Sequence, residues 1–473
     1  MTTITSPRSP RVAATGGSAG WGSLLVLLTG VFITTLDFFI VNVAIPATQR
    51  ELNAGPSAIQ FIVAGFGIAL ASGLVLGGRL GDLYGRRRLF SIGLAVFTLA
   101  SAACGEAPTA GFLIGARVAQ GAGAALLMPQ VLALINTLYT GAHRTKAFNA
   151  YGMALGFGGV FGQLIGGALI RADIAGLGWR TIFLINVPVG AVTLLLTRRL
   201  IPESRAAGAR LDLTGAALAG LGLVAIVYPL VQGQQQGWPA WTWLCLAAAG
   251  ALLAAFALHQ RRTAAPLIDP ALFRHRSFSA GVVVSLTYSM TTGSFFLVLA
   301  LYLQEGRGLD ALGSGLIFLP LGLGYFVSSA LSGRVAARLG RQVVTLGALV
   351  VALGYAALAE TASALGTGRP VAWVIPGLLV AGAGMGLIMA PLPAIVLAGT
   401  DPRHAAAASG VLSTAQQAGG AIGVALVGMV FYGALGAPAP AHYPHAFALG
   451  LALLVGLAAA VAALVQALPR PAR

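Results

Sequence analysis

The sequence predicts an all-α polytopic membrane protein with fourteen spans, and three observations carry that expectation. Of 473 residues, 57% are hydrophobic and only 8% are charged, against roughly 25% charged in a soluble domain. The apolar residues fall in long runs broken by charge, Pro and Gly. The basic residues, finally, gather on alternate sides of those runs.

A spanning helix needs about 20 apolar residues. Runs of that length occur at 21–46, 57–78, 89–107, 110–139, 148–170, 180–200, 212–232, 241–260, 278–303, 311–333, 342–364, 371–399, 406–432 and 445–467. The net charge of +16 would suggest nucleic acid in a soluble chain. Here the arginines sit in short loops, where they set orientation, and no nucleic-acid partner is expected. With the N-terminus inside, the cytoplasmic loops and ends hold 22 of the 28 Lys and Arg residues, the outer loops hold five, and Arg117 lies within a span. That asymmetry predicts a multi-pass protein of the cell (cytoplasmic or inner) membrane with both termini cytoplasmic. Residues 1–20, rich in Ser, Thr, Gly, Arg and Pro, read as a cytoplasmic tail, and the run after them is too long for a cleaved signal. Cys104 and Cys245 lie inside apolar runs with no ligand-spaced neighbours, so neither a disulfide framework nor a metal site is implied.

Two segments repeat. Gly78-Arg79-Leu80-Gly81-Asp82-Leu83-Tyr84-Gly85-Arg86 aligns with Gly333 to Arg341 at an offset of 255, and Gly121-Ala122-Gly123 aligns with Gly382-Ala383-Gly384 at an offset of 261. Near-equal offsets indicate related halves. The halves are 21–200 and 278–467, each of six spans, with two additional spans at 212–262 between them. Parallel six-helix halves around a cavity at the membrane midplane are the architecture of alternating access.

The segment Gly77 to Arg88 places one carboxylate among four arginines in what reads as a tight glycine-punctuated turn. Asp82, with Arg79, Arg86, Gly78 and Gly85, forms a candidate charge latch that holds the halves together at the inner face. In the first span, Asp37 is an ionisable residue in an apolar helix and therefore a functional candidate. Asp37 and Arg117 of the fourth span lie about 16 Å and 11 Å from the outer face by helical rise, close enough in depth to pair. Such a carboxylate can hold or release a proton as access and ligand change. Aromatic and amide side chains, Phe38, Asn42, Phe66, Phe157, Gln163, Tyr288, Phe295 and Gln417, are candidates for lining a ligand cavity.

Several motifs resemble those of the major facilitator superfamily. Gly78 to Arg87 is similar to its G-x-L-x-D-x-x-G-R-[RK] signature, Arg117 to Gly123 to its R-x-x-q-G-x-g element, and Gly162 to Gly167 to the G-P-x-x-G-G element of exporters, with Gln163 in place of the proline. Leu36 to Pro46, Trp179 to Gly190 and Gln416 to Gly423 look like the fourteen-spanner drug:H+ antiporter branch. The resemblance implies the major facilitator fold and proton-coupled export of amphipathic or cationic drugs, driven by a proton gradient and requiring no cofactor. Asp37 and Arg117 then couple protons. The chain is expected to act as a monomer in lipid. Two departures stand out: Phe39 replaces the Thr often found after the first-span acid, and no second carboxylate lies mid-membrane. Because the exporter proline is missing, proton-coupled uptake of a nutrient or peptide is the alternative on the same fold. The chain shows no P-loop, metal-ligand cluster, nucleophile elbow or paired catalytic acids, so no enzyme activity is expected.

Overall fold

The computed structural model describes residues 20–205, 211–233, 236–263, 266–365, 370–397, 405–436 and 439–468. The expected tail at 1–20, apart from Gly20, lies outside the described residues, as do Arg8, Arg11, Arg210, Arg369, Arg403, Arg470 and Arg473 of the charge tally. Among the described residues, fourteen helices are long and apolar enough to cross a membrane. They are α1 (Trp21–Glu51), α2 (Pro56–Tyr84), α3 (Arg86–Gly105), α4 (Ala110–Leu138), α5 (Gly141–Ala172), α6 (Gly178–Leu200), α7 (Leu213–Gln232) and α8 (Ala240–Arg262). After the linker come α9 (Arg276–Gly306), α10 (Ala311–Leu339), α11 (Gln342–Ala364), α12 (Val371–Leu397), α13 (Ala408–Leu435) and α14 (Pro440–Ala467).

The same four helix pairings build both halves. In the first, α4 packs on α2 and α3, α1 on α5, and α3 on α6; in the second, α12 packs on α10 and α11, α9 on α13, and α11 on α14. Glycine sets the spacing. A Cβ added at Gly121 of α4 would strike the carbonyl of Phe66 on α2, and one at Gly382 of α12 would strike the carbonyl of Leu321 on α10. Gly123 and Gly384 meet the backbones of α3 and α11 in the same manner. Close backbone approach of this kind is how helices associate in lipid, where apolar side chains gain little by leaving the tails. The halves meet along two seams, α2 with α13 and α5 with α10.

The segment from Gly77 to Arg88 differs from the turn expected for it. Helix α2 runs on through Tyr84, α3 starts at Arg86, and Gly85 alone reverses the chain at φ +110°, a conformation that costs glycine little. The other glycines of the segment serve packing: Gly77 lies against the backbone of Ala125, and Gly81 against the side chain of Gln130. In the second copy, Gly340 at φ +55° makes the equivalent reversal after Leu339.

The inserted pair α7–α8 lies outside the α2–α13 seam, with α7 touching both helices. Its cohesion at one end comes from a polar knot. Asp212 caps α7 through Gly215 N (2.7 Å) and accepts from Gln260 Nε2 (2.7 Å), while His259 Nε2 lies 2.7 Å from its Oδ1. The linker joins the knot through Leu267 N, 3.4 Å from Asp212, and Ile268 N, 3.0 Å from Gln260 Oε1. Burial pushes the Asp212 carboxyl up, but the Gly215 amide, His259 and Gln260 outweigh it and hold the group below its ordinary value of 3.8. A depressed carboxylate stabilises the fold above its unfolded value, and that contribution is lost as pH falls through the folded one. Asp212→Ala should therefore lower the thermal unfolding midpoint at pH 7, removing an N-cap worth about 1 kcal/mol and stranding Gln260. The wild-type advantage over the variant should shrink as pH falls below 3.8. Both are read from melts of the purified proteins.

Candidate functional site

Asp37 sits mid-way along α1 on the face turned to α4, and both it and Arg117 are 0% exposed. Arg117 Nη1 donates to Asp37 Oδ2 in a short charge-assisted bond. Around the pair is a polar network inside the first half. Gln120 Nε2 donates to Asp37 Oδ1 at 2.8 Å and to Ser101 Oγ at 2.8 Å, and its Oε1 accepts from Arg117 Nη1 at 2.7 Å. Asn186 Nδ2, at the break in α6, reaches Asp37 Oδ1 and Ser101 Oγ, both at 2.9 Å. Arg117 Nε donates to the Ile62 carbonyl of α2 at 3.1 Å. Its guanidinium lies 4.6 Å from the Phe66 ring centre and 5.7 Å from that of Phe183. Three donors converge on one carboxylate, so the site is built for the ionised form. Arg117 Nη2 remains buried without a partner.

Ser101 stands in none of the sequence motifs, while Gln120 and Asn186 stand in theirs without a role of their own. One signal was present: Gln120 follows Arg117 by three residues, which places both on one helix face.

The cavity candidates divide by position. Phe38 lies 5.0 Å from Phe39 and 5.9 Å from Phe66, ring centre to ring centre, so Phe66 stands between Phe38 and the Arg117 guanidinium. Phe66 and Phe295 are buried within their own halves, Phe66 beneath Arg117 and Phe295 against Tyr355 at 4.7 Å. Neighbouring rings cross the interface instead: Phe39 of α1 meets Phe296 of α9 at 4.8 Å, and Phe296 stacks on Phe318 at 5.4 Å. Phe157 is 40% exposed; it lines a groove of about 360 Å³ between α1 and α5 with Phe161 and Phe32, and its ring meets Phe326 of α10 at 5.3 Å. Tyr288 is buried on α9, and Gln417 sits where α13 passes Gly67 of α2.

Asn42 and Gln163 converge. Asn42 Nδ2 and Gln163 Nε2 both donate to the Phe39 carbonyl, at 3.0 and 2.8 Å, which leaves Asn42 Oδ1 and Gln163 Oε1 buried and unpaired. Here the halves are in contact: Gly315 of α10 packs on the backbone of Gln163, Gly167 of α5 on that of Ala311, and Gln304 Nε2 donates to the Val43 carbonyl at 3.0 Å. Arg171 and Asp310 stand 3.4 Å apart at the rim of the same end. Towards the opposite end, α5 leaves α10 beyond Gly156, and its residues 141–144 are exposed. The seam at α5 is thus shut at the Asp310 end and slackens towards Gly141.

At that slack end, Asp82 of α2 pairs with Arg86 of α3 across the Gly85 reversal (2.8 Å), and Arg79 Nη2 donates to the Pro266 carbonyl of the linker at 3.3 Å. In this structure the charged motif therefore ties the first half to the linker, and among the described residues no bond of Asp82, Arg79 or Arg86 reaches the second half, as a latch between halves would require.

Two pseudo-equivalent helical halves, a buried ion pair within one of them and unpaired polar groups at their interface define a membrane transporter fold. The Major Facilitator Superfamily model matches residues 27–424, and the chain belongs to that superfamily. It is 39% identical over 427 residues to the probable actinorhodin transporter of Streptomyces coelicolor, covering 89% of this chain and 74% of that one. It is 38% identical over 425 residues to the puromycin resistance protein pur8 of Streptomyces alboniger, covering 88% and 83%. With the cephamycin export protein CmcT of Amycolatopsis lactamdurans it shares 35% identity over 465 residues, 95% and 93% of the two chains. Fourteen spans and relatives of this kind fit the fourteen-spanner drug:H+ antiporter branch. Among solved structures, a proton dependent oligopeptide transporter superposes with a TM-score of 0.70 at 17% identity, covering 95% of this chain and 98% of its own. A bacterial homologue of the human lysosomal transporter Spinster gives 0.68 at 16% identity, covering 96% and 100%. Both likenesses concern the fold alone.

Removing one member of a buried ion pair leaves the other uncompensated, at a cost of about 3–5 kcal/mol. Arg117→Leu should lose that much stability, and Asp37→Asn combined with Arg117→Leu should recover most of it. Thermal melts of the three purified proteins check this.

Proposed function

We propose that the protein is a proton-coupled exporter of amphipathic drugs that works by alternating access in the cytoplasmic membrane, with both termini in the cytoplasm. The observation that carries this reading is the Asp37–Arg117 pair, sealed from both faces within the first half. The drug and antibiotic export and resistance functions named for its relatives support the direction of transport. In this orientation the shut Asp310 end is the outer one, and the α5–α10 seam slackens towards the cytoplasm.

In this state Asp37 is ionised, neutralised by Arg117 and held by Gln120 and Asn186. Substrate enters from the cytoplasm or the inner leaflet and rests against Phe39 and Phe296, one aromatic from each half. Phe38 and Phe66 connect that wall to the guanidinium. When the cycle opens the outer end, Asp37 takes a proton, the attraction to Arg117 falls away, and the rings leaning on the guanidinium shift. That change loosens the substrate on the outer side. A proton moving through about 150 mV releases about 3.5 kcal/mol, which supports a gradient of a few hundredfold for a neutral substrate exchanged with one proton.

Asn42 Oδ1 and Gln163 Oε1 supply acceptors for a ligand hydroxyl or amide N–H, since a buried carbonyl oxygen gains most from the partner it lacks. The described carboxylates other than Asp37 lie near span ends or in loops. The site is accordingly suited to bulky, weakly polar molecules, with full cations the poorer substrates. Tyr288, Phe157 and Gln417 are assigned to the walls exposed as the halves rock. Asp82 and Arg86 hold the inner turn, and Arg79 joins it to the linker, so these residues transmit the motion of α2.

In proteoliposomes with an imposed pH gradient, the wild type should accumulate puromycin, or the drug that a susceptibility panel selects, against its concentration. Asp37→Asn, which mimics the protonated acid, should abolish the uphill component and weaken drug binding. Unchanged uphill export by that variant would remove Asp37 from the coupling step. A second outcome is set by Gln163→Glu, which places a carboxylate at the wall and should shift preference towards cationic drugs such as ethidium in the same assay.

A further inference from the structure

One surface of the first half has no part in the transport scheme. Where α3 begins and α6 ends, a recess of about 680 Å³ opens outward from the bundle, lined by Arg87, Arg88, Arg198, Arg205 and Glu203. Four guanidinium groups face one carboxylate, and that carboxylate is already engaged. Glu203 Oε1 accepts from Arg87 N at 3.0 Å and Oε2 from Arg88 N at 3.2 Å, so it caps α3. The chain after α6 is strapped across the same helix end, with Arg86 N donating to the Ser204 carbonyl at 2.9 Å. Arg87 is turned to this strap through the Ile201 carbonyl, 3.3 Å from its Nη1. Arg88, Arg198 and Arg205 are exposed and make no ion pair with any described residue. Three unneutralised guanidiniums thus converge on one recess.

The surface leading from the recess along the bundle is apolar. On α3, Ile92 is 42% and Leu99 71% exposed; on α6, Leu195 is 67% and Val192 56% exposed. Ile92 and Leu99 are two helical turns apart on one face, as Val192 and Leu195 are one turn apart on theirs. From Arg88 to Leu99 the helix rises about 16 Å, roughly half the hydrocarbon thickness of a bilayer. Charge at the span ends passing into apolar flanks matches the profile of one lipid molecule. Guanidinium groups bind phosphate through paired N–H donors, and basic recesses at span ends recognise anionic lipid headgroups.

We propose that this recess binds one anionic phospholipid of the adjoining leaflet. Arg88, Arg198 and Arg205 hold the phosphodiester, and the acyl chains lie along Ile92 and Leu99 on one side and Val192 and Leu195 on the other. A bound lipid would fasten the 201–205 strap to α3 directly beside the Gly85 reversal and the Asp82–Arg86 pair. The anchoring is independent of what the protein transports.

Native mass spectrometry of the full-length protein, released from detergent micelles doped with phosphatidylglycerol or phosphatidylcholine, tests the assignment. The wild type should retain the first lipid at least about tenfold better than the second. Arg88→Gln, Arg198→Gln and Arg205→Gln combined should remove that preference, and Arg198→Gln alone should reduce it about threefold. Arg261→Gln, Arg262→Gln and Arg274→Gln combined, an equal charge change elsewhere, should leave it intact. Millimolar inorganic phosphate should not displace the lipid. Equal losses in the two triple variants, absence of any preference in the wild type, or displacement by phosphate would each overturn the proposal.

Discussion

The structure of the first half is organised around one constraint: a carboxylate placed in the middle of an apolar helix must be matched where it lies. Taking an ion out of water costs several kcal/mol even after relaxation, and attraction to a counter-ion repays this only when the remaining lone pairs and protons are also satisfied. Asp37 meets that demand with Arg117, Gln120 and Asn186, contributed by α4 and α6, while Ser101 of α3 steadies the two amides. Five polar side chains from four helices are thereby fixed in one arrangement. Apart from Arg117 Nη2 the network is satisfied, and such networks specify position as well as stability, so the helices of this half are pinned to one another. The arrangement loses its rationale once the acid is neutral, which is what makes it suitable for coupling.

The second half has the same helix pairings and the same glycine contacts but no buried ion pair among its described spans. Gly121 against Phe66 and Gly382 against Leu321 are equivalent close approaches, yet only on the first side does the neighbouring ring lie under a guanidinium. Backbone packing sets the common architecture, and chemistry is added to one copy. This asymmetry also accounts for where the aromatic contact between halves lies, since Phe39 follows Phe38, which borders the charged site, and reaches across to Phe296. The inserted α7–α8 pair packs against one seam and is tied to the linker through Asp212 and Gln260.

Much of this was legible in the sequence, for identifiable reasons. Apolar run length is a direct consequence of bilayer thickness, so the spans could be read without packing information. Asp37 and Arg117 were legible because isolated charges at membrane depth must find partners, and their depths follow from helical rise. The bonds of Gln120 and Ser101 to this site were not, because uncharged polar side chains in spans often bond to their own helix; Thr34, which donates to the Gly30 carbonyl, does so here. The burial of Phe66 and Phe295 within their own halves is not readable from the sequence, because aromatic residues occur on every face of a lipid-buried helix and spacing does not say which face meets the other half. The segment at Gly77–Arg88 was read as a loop because glycine signals both turning and close packing; only Gly85, with its positive φ, does the former. The Asp212 knot joins residues 47 and 55 positions apart across loops, beyond the reach of local pattern.

The central claim is that Asp37 exchanges a proton as cargo binds and leaves. Calorimetric titration of the purified protein with a transported drug, repeated at one pH in buffers of different ionisation enthalpy, counts protons released or taken up on binding. The account predicts a net exchange approaching about one proton per site in the wild type at some pH between about 5 and 9, and none in Asp37→Asn. A wild type that binds its drug with no proton exchange across that range, or a variant that exchanges as many protons as the wild type, would contradict it.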